Sequence, residues 1–373
     1  MICEKNKCTG CFACFNICPK KAIEMIEDDN GFIYPQINKE KCIKCGLCKK
    51  ICPSINKVEM QEPQKCYASY SKTEETREKS TSGGIAATIS ELFINNGGVV
   101  YGSSFTENCN VQHIRITNTK DLHKLQGSKY VHSYINNSYE LVKKDLINKE
   151  DVLFFGTPCQ IAGLKKFLMK EYDNLFLIDI ICHGVPSQKY LKEEIKRLVN
   201  TQEIERVNFR NGNNYGLYIV KDNKIISSNN DSQSPYSSSF KMCLSLRENC
   251  YNCIYAGAKR ISDITIGDFW GLSKKSRLYK EKEKGVSVVI INNNKGNEFF
   301  EKYKKNFEVE EREYNEAVKG NTQLMHAAPK HKQADEFKKL YPKLGFKKAY
   351  NKLTTISRIK LKIKHVLKKI IKK

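Results

Sequence analysis

Two runs of four cysteines constrain this chain more than any other feature. Cys8-x2-Cys11-x2-Cys14-x3-Cys18-Pro19 recurs as Cys42-x2-Cys45-x2-Cys48-x3-Cys52-Pro53, every cysteine displaced by 34 positions. Three thiols at two-residue gaps let one tight loop hold three corners of an iron–sulfur cubane. The fourth, followed by proline, starts a turn pointing elsewhere and serves the other cluster. One 4Fe-4S set is therefore expected from Cys8, Cys11, Cys14 and Cys52, and a second from Cys42, Cys45, Cys48 and Cys18. A zinc ribbon takes four ligands, usually as two CxxC pairs, and fits this offset far less well. Cys3 lies outside the pattern and reads as a bystander.

The spacing is that of bacterial two-cluster ferredoxins, and it defines a ferredoxin-type domain over residues 1–60. Ala22–Ile26 and Phe32–Pro35 read as short strands around a turn at Asp29-Asn30-Gly31. The stretch 54–65 has two flanking prolines and little apolar content, and is expected to be a linker. The chain has 373 residues and sixteen cysteines, and its first residues lack an apolar signal segment. Metal or redox chemistry in a cytoplasmic, reducing compartment is expected rather than a disulfide framework. Apolar residues at 40% and charged residues at 28% exclude collagenous, low-complexity and wholly disordered chains. No run of about 18 apolar residues is present to span a membrane.

The rest of the chain, 61–340, reads as a larger α/β domain, so the fold class is mixed α/β (α+β) with a two-cluster module in front. Ser82-Gly83-Gly84 opens a helical stretch Ile85–Phe93, and Val99–Gly102 and Val111–Ile116 read as strands. A Ser-Gly-Gly turn ahead of a helix can present N–H groups to a phosphate, though most such turns are only turns. Two strand–loop–helix units follow. Val152–Phe155 leads through Gly156-Thr157-Pro158-Cys159-Gln160 into a helix, and Leu175–Ile181 leads through Cys182-His183-Gly184-Val185-Pro186-Ser187 into another. Such alternation implies parallel strands, with ligand-binding loops at their carboxyl ends. Residues 227–239 are rich in Ser, Asn and Asp and read as a surface loop. Cys250-x2-Cys253 is then half a metal site, which Cys159 and Cys182 could complete. On chemistry alone, three readings stay open. They are a third cluster, a Cys159–His183 nucleophile and base, and inert buried thiols. Asp263 and Asp268 flank a strand and turn, where carboxylates more often cap than catalyse.

Six motifs occur in order: Ser82-Gly83-Gly84, Gly127-Ser128-Lys129-Tyr130, the two cysteine loops, Cys250-x2-Cys253, and Asp263 to Gly271. Over residues 66–335 they resemble the coenzyme F420 hydrogenase/dehydrogenase beta-subunit family. The resemblance implies an iron–sulfur flavoprotein with FAD beside a 4Fe-4S cluster held by Cys159, Cys182, Cys250 and Cys253. It makes Ser82, Gly83, Gly84, Gly127, Ser128 and Lys129 FAD-binding candidates, and His183 a candidate proton donor. A ferredoxin-like redox partner and an organic or deazaflavin acceptor are implied, within surface-polysaccharide metabolism for some bacterial relatives. The alternative is a non-catalytic electron-transfer subunit serving another enzyme.

Residues 346–373 hold eleven Lys/Arg and no acid, about half of the net +23. Ile356, Ile359, Ile363, Leu367 and Ile370 follow helical spacing, so a basic amphipathic tail resting on an anionic membrane or a partner is expected. No nucleic-acid recognition motif accompanies it.

Overall fold

The computed structural model describes residues 2–199, 204–211, 214–230 and 234–355. The strands, in chain order, are β1 (Ile23–Glu27), β2 (Ile33–Ile37), β3 (Lys65–Ser71), β4 (Val99–Thr106), β5 (Asn110–Ile116), β6 (Val152–Gly156) and β7 (Leu175–Ile180). They continue with β8 (Arg206–Asn211), β9 (Asn214–Lys221), β10 (Lys224–Asn230), β11 (Ile264–Asp268), β12 (Ser287–Ile291) and β13 (Phe307–Glu311). The N-terminal module pairs β1 with β2 antiparallel, Ile23 opposite Ile37, as its alternation requires. Two short helices, Ala13–Ile17 and Leu47–Lys50, follow the two cysteine loops and begin at Phe12 and Gly46 in left-handed conformations.

The body is an eight-stranded sheet in the order β13-β3-β12-β11-β7-β6-β4-β5. Its centre, β4, β6, β7 and β11, is parallel, and antiparallel strands flank it on both sides. The apolar runs of β6 and β7 suit strands covered on both faces. The helix Pro158–Leu168 starts with a capping box between Thr157 and Gln160 and carries Pro158 in its first turn. The helix Gln188–Leu198 starts where the Ser187 side chain accepts from the Tyr190 amide, and it buries Tyr190, Leu191 and Ile195.

Three sequence expectations change. Residues 227–239 are not a loop throughout: β10 reaches Asn230, and Pro235–Lys241 is a helix capped by Ser234. Strands β8 to β10 form a separate antiparallel sheet. The 54–65 stretch packs rather than dangles. Gln61 exchanges two backbone hydrogen bonds with Arg260, and Val58 and Met60 rest on the core. Residues 346–355 are helical, and Phe346, Ala349 and Tyr350 are buried beside Tyr190 and Phe337, so this part of the expected tail belongs to the packed body. Ile356, Ile359, Ile363, Leu367 and Ile370 lie outside the described residues. Among the described residues no helix is long and apolar enough to cross a membrane.

The module is built into the body. Cys11, Phe12, Ala13, Ile33 and Ile51 share one apolar core with Tyr101, Tyr139, Phe154 and Leu164. Asn16 donates to the Asn136 carbonyl at 2.7 Å, and Ser187 and Tyr190 donate to Asn30 at 2.6 and 2.7 Å.

Candidate functional site

The carboxyl ends of β6, β7 and β11 lie side by side, Gly156 opposite Asp179 and Ile266 opposite Ile180. The loops leaving them carry Cys159, Cys182 and His183 to one edge, as sheet topology requires. Cys159 sits in the first turn of the helix Pro158–Leu168, its Sγ 3.2 Å from the Thr157 hydroxyl. The Gly184 amide donates to Cys182 Sγ at 3.4 Å. Gly184 has φ 114°, and a Cβ there would lie 2.8 Å from Leu246 and 3.2 Å from Cys250. This glycine lets the Cys182 loop close on the Cys250 turn. Burial pushes the Cys159 and Cys250 thiols up to about 12, and neighbouring thiols push the same way: Cys253 and Cys250 act on Cys159, and Cys253 on Cys250. Cys182, also raised by burial, responds to all three. The four thiols thus lie close enough to act on one another, Cys250 buried and the other three half-buried. A buried ion pair, Arg260 to both Asp179 oxygens at 3.1 and 3.0 Å, ties the chain just after Cys253 to the sheet.

The N-terminal thiols lie close enough to act on one another, mostly within the two expected sets. Cys14, raised by burial, feels Cys11, Cys8 and Cys52, while Cys48 feels Cys18 and Cys45. Cys3 is not a bystander. It lines the cavity of the first set with Cys8, Cys11, Cys14 and Cys52, because Ile2 packs on Ile23 and folds the terminus back. Its closeness lowers the Cys8 and Cys52 thiols. Spacing alone could not show this, since Cys3 falls outside the repeat. Among the described residues no three Cys, His, Asp or Glu side chains converge on a single ion. Tetrahedral zinc would need sulfurs about 3.8 Å apart, whereas a cubane spreads its thiols over four iron corners.

Neighbouring thiols connect these groups. Cys45 is exposed. Cys48 of its set acts on Cys14 of the next. Cys11 and Cys159 interact in turn, across Gly163. A Cβ on Gly163 would stand 3.1 Å from Cys11 Sγ and 2.8 Å from the Tyr139 hydroxyl. Cys182 lies on the wall of a cavity of about 670 Å³.

That cavity brings together most of the expected cofactor residues. Ser82, Gly84, Gly127, Ser128, Lys129 and His183 line it. Gly83 stands behind the wall, where a Cβ would meet the Ser69 carbonyl at 2.5 Å and the Ser287 amide at 2.9 Å. Gly84 caps the helix Ile85–Asn95 with φ 79°, so the amino end of that helix faces the cavity. The two glycine loops meet where Thr81 and Ser128 hydroxyls hydrogen-bond at 2.9 Å. The Ser103 and Ser237 hydroxyls, both on the wall, have no partner among the described residues. Lys129 donates to the carbonyls of Leu125, Gln126 and Gly127 at 2.9, 2.9 and 3.1 Å, and desolvation pulls its pKa down to about 7. His183 has both nitrogens engaged, Nε2 with Cys243 Sγ at 3.2 Å and Nδ1 with Gln323 at 3.0 Å, and burial lowers its pKa.

Sequence reasoning missed the opposite wall. Arg210 donates twice to Asp268, at 3.0 and 2.6 Å, and packs between Tyr215 and Trp270. Asp268 is therefore an ion-pair partner. Asp263 is structural, accepting from the Leu177 amide and from Asn293.

The family described as the C-terminal part of the coenzyme F420 hydrogenase/dehydrogenase beta subunit matches residues 149–317. A 4Fe-4S dicluster domain matches residues 7–56. Comparison with curated proteins gives no match. Among solved structures, a chain of the xenon-derivatised F420-reducing [NiFe] hydrogenase complex from Methanosarcina barkeri is 16% identical, with a TM-score of 0.46. The match covers 71% of this chain and 91% of that one. Residues 149–317 are thus similar to the C-terminal part of the coenzyme F420 hydrogenase/dehydrogenase beta subunit, and residues 7–56 to a 4Fe-4S dicluster domain.

Proposed function

We propose that this chain is a flavin- and iron–sulfur-dependent oxidoreductase working between a protein electron carrier and an organic or deazaflavin acceptor. One observation supports the reading: neighbouring thiols follow one another from exposed Cys45 through Cys48 and Cys14, then Cys11 and Cys159, to Cys182 on the cavity wall. In this reading Cys8, Cys11, Cys14 and Cys52, then Cys42, Cys45, Cys48 and Cys18, hold the two clusters of the module. Cys159, Cys182, Cys250 and Cys253 hold a third.

The cavity suits FAD in size and in chemistry. The amino end of the helix Ile85–Asn95, with Gly84 at its cap, offers unpaired N–H groups to a pyrophosphate. Ser82 and Gly83 fix that turn against β12, Ser82 through the Ser287 hydroxyl at 2.9 Å. Gly127 and Ser128 shape the facing loop, and Lys129 supplies a cation. Ser103 and Ser237 offer hydroxyls left unpartnered among the described residues. Clusters exchange single electrons, and a flavin exchanges them in pairs with a proton. Phe155, Phe240 and Tyr236 exclude water from the cavity wall next to Cys182. His183 is assigned to this wall, its Nδ1 accepting from the Gln323 amide and its Nε2 engaged with Cys243 rather than free. A role in surface-polysaccharide metabolism rests on the family resemblance alone.

The test is composition after anaerobic reconstitution. About twelve irons and one FAD per chain are expected, at four irons per set. Cys253→Ala should lose the third set and keep about eight irons. Eight irons without flavin in the unaltered protein would overturn the reading in favour of a non-catalytic electron carrier.

A further inference from the structure

Arg247 heads the fully buried side chains, at 0% exposure, and no carboxylate pairs with it among the described residues. Its Nε donates to the Cys8 carbonyl and one Nη to the Ile33 carbonyl, both at 2.8 Å. The guanidinium lies over the Tyr34 ring at 4.4 Å. Its second Nη has no hydrogen-bonded N or O partner among the described residues. Gly10 makes room for it, since a Cβ there would stand 3.2 Å from that nitrogen. A guanidinium does not give up its proton, and a buried charge without a counter-charge is strongly unfavourable. Something anionic must answer it.

Its position says what. The Arg247 amide donates to the Val185 carbonyl at 2.9 Å, and the Cys250 amide donates to the Arg247 carbonyl at 3.0 Å. The residue therefore springs from the turn that carries Cys250 and ends on the loop Cys8-Thr9-Gly10-Cys11. Its charge is felt by Cys8 on one side and by Cys159 and Cys250 on the other. It does not figure among the charges acting on Cys48 of the outer set.

We propose that Arg247 is a positioning residue that clamps the first and third thiol sets together and holds a fixed positive charge between them, raising the reduction potential of the clusters it faces. The proposal rests on the reading that both sets hold 4Fe-4S clusters. Each cluster takes one electron from a donor and gains one negative charge, with no bond or proton changing hands. A neighbouring cation stabilises that reduced form, and net charge and hydrogen bonding are what set such potentials.

The test uses the reconstituted full-length protein, with dithionite as reductant and electron paramagnetic resonance as readout. Arg247→Met should keep all three clusters. It should shift the reduction equilibrium of at least one at least tenfold towards the oxidised form, which is about 59 mV for one electron. The outer cluster should not move. Arg247→Lys keeps the charge and should recover most of the shift. If Arg247→Met fails to assemble, Arg247→Gln against Arg247→Lys makes the same comparison. Full iron content with unchanged potentials in the neutral variant overturns the proposal. A deficit of iron in the unaltered protein overturns the cluster reading instead.

Discussion

Desolvation sets the chemistry of Lys129. With four carbonyls around its ammonium and no carboxylate, its pKa falls to about 7, whereas a bound pyrophosphate would raise it again. Anion binding then favours the protonated form. If FAD binds as proposed, its affinity should be full below about pH 7 and fall by up to about tenfold per unit as pH rises towards the raised value of the complex. The other titratable groups nearby do not mask this. Burial holds His113 near 4 and His132 near 3, so both stay neutral, and Arg210 and Asp268 stay paired. Flavin titration from pH 6 to 9 checks the slope, and Lys129→Met should bind more weakly and flatten it. A flat profile in the unaltered protein would remove Lys129 from the anion site. The cysteine loops stood out in the sequence because cluster loops impose fixed spacings, whereas the glycine turns became candidates only through the family resemblance. Arg210 and Arg247 did not stand out, because an arginine in a sequence reads as surface until the fold buries it.

The helix Pro158–Leu168 shows how one element serves two thiol sets. Its capped first turn carries Cys159, and one turn later Gly163 presents bare backbone to Cys11. An alanine at a mid-helix position ordinarily gains up to about 1 kcal/mol of helix propensity over glycine. Here its methyl would overlap Cys11 and Tyr139, an overpacking that costs about 1–3 kcal/mol. Gly163→Ala should therefore lower the melting temperature and cut the iron content, although a propensity scale predicts the reverse. Normal iron with raised stability would show that the module can shift away from the helix. The pattern of strands and helices from β6 to the helix Gln188–Leu198 was readable because both units carry buried apolar runs and caps. Strands β8 to β10 were not, because Lys, Asn and Ser dominate β10. The one local signal was the Asp222-Asn223 pair, both at positive φ (48° and 58°), the geometry of a tight hairpin turn.

Over the whole molecule, the outer thiols, with Cys45 exposed, are the place where a partner can approach most directly. Ile43 and Ile55 stand out at 58% and 48% exposure. Lys20, Lys21, Lys39, Lys41, Lys44, Lys49 and Lys50 are exposed around them, with Glu40 the one acid between residues 39 and 50. Such a surface suits an acidic carrier of the ferredoxin kind, drawn in by charge and seated on a small apolar centre. Charge steering can raise association rates 10- to about 1,000-fold, and it weakens once the screening length shortens to about 10 Å or less near 0.1 M salt. Reduction of the clusters by an acidic ferredoxin should accordingly slow at least about tenfold between low and 0.5 M salt, while reduction by a neutral dye should not. Lys20→Glu with Lys41→Glu should slow the low-salt reaction and flatten its salt dependence with iron content unchanged. A salt-independent rate in the unaltered protein would place the entry point elsewhere, because a protein carrier reaching Cys45 has to approach across these lysines.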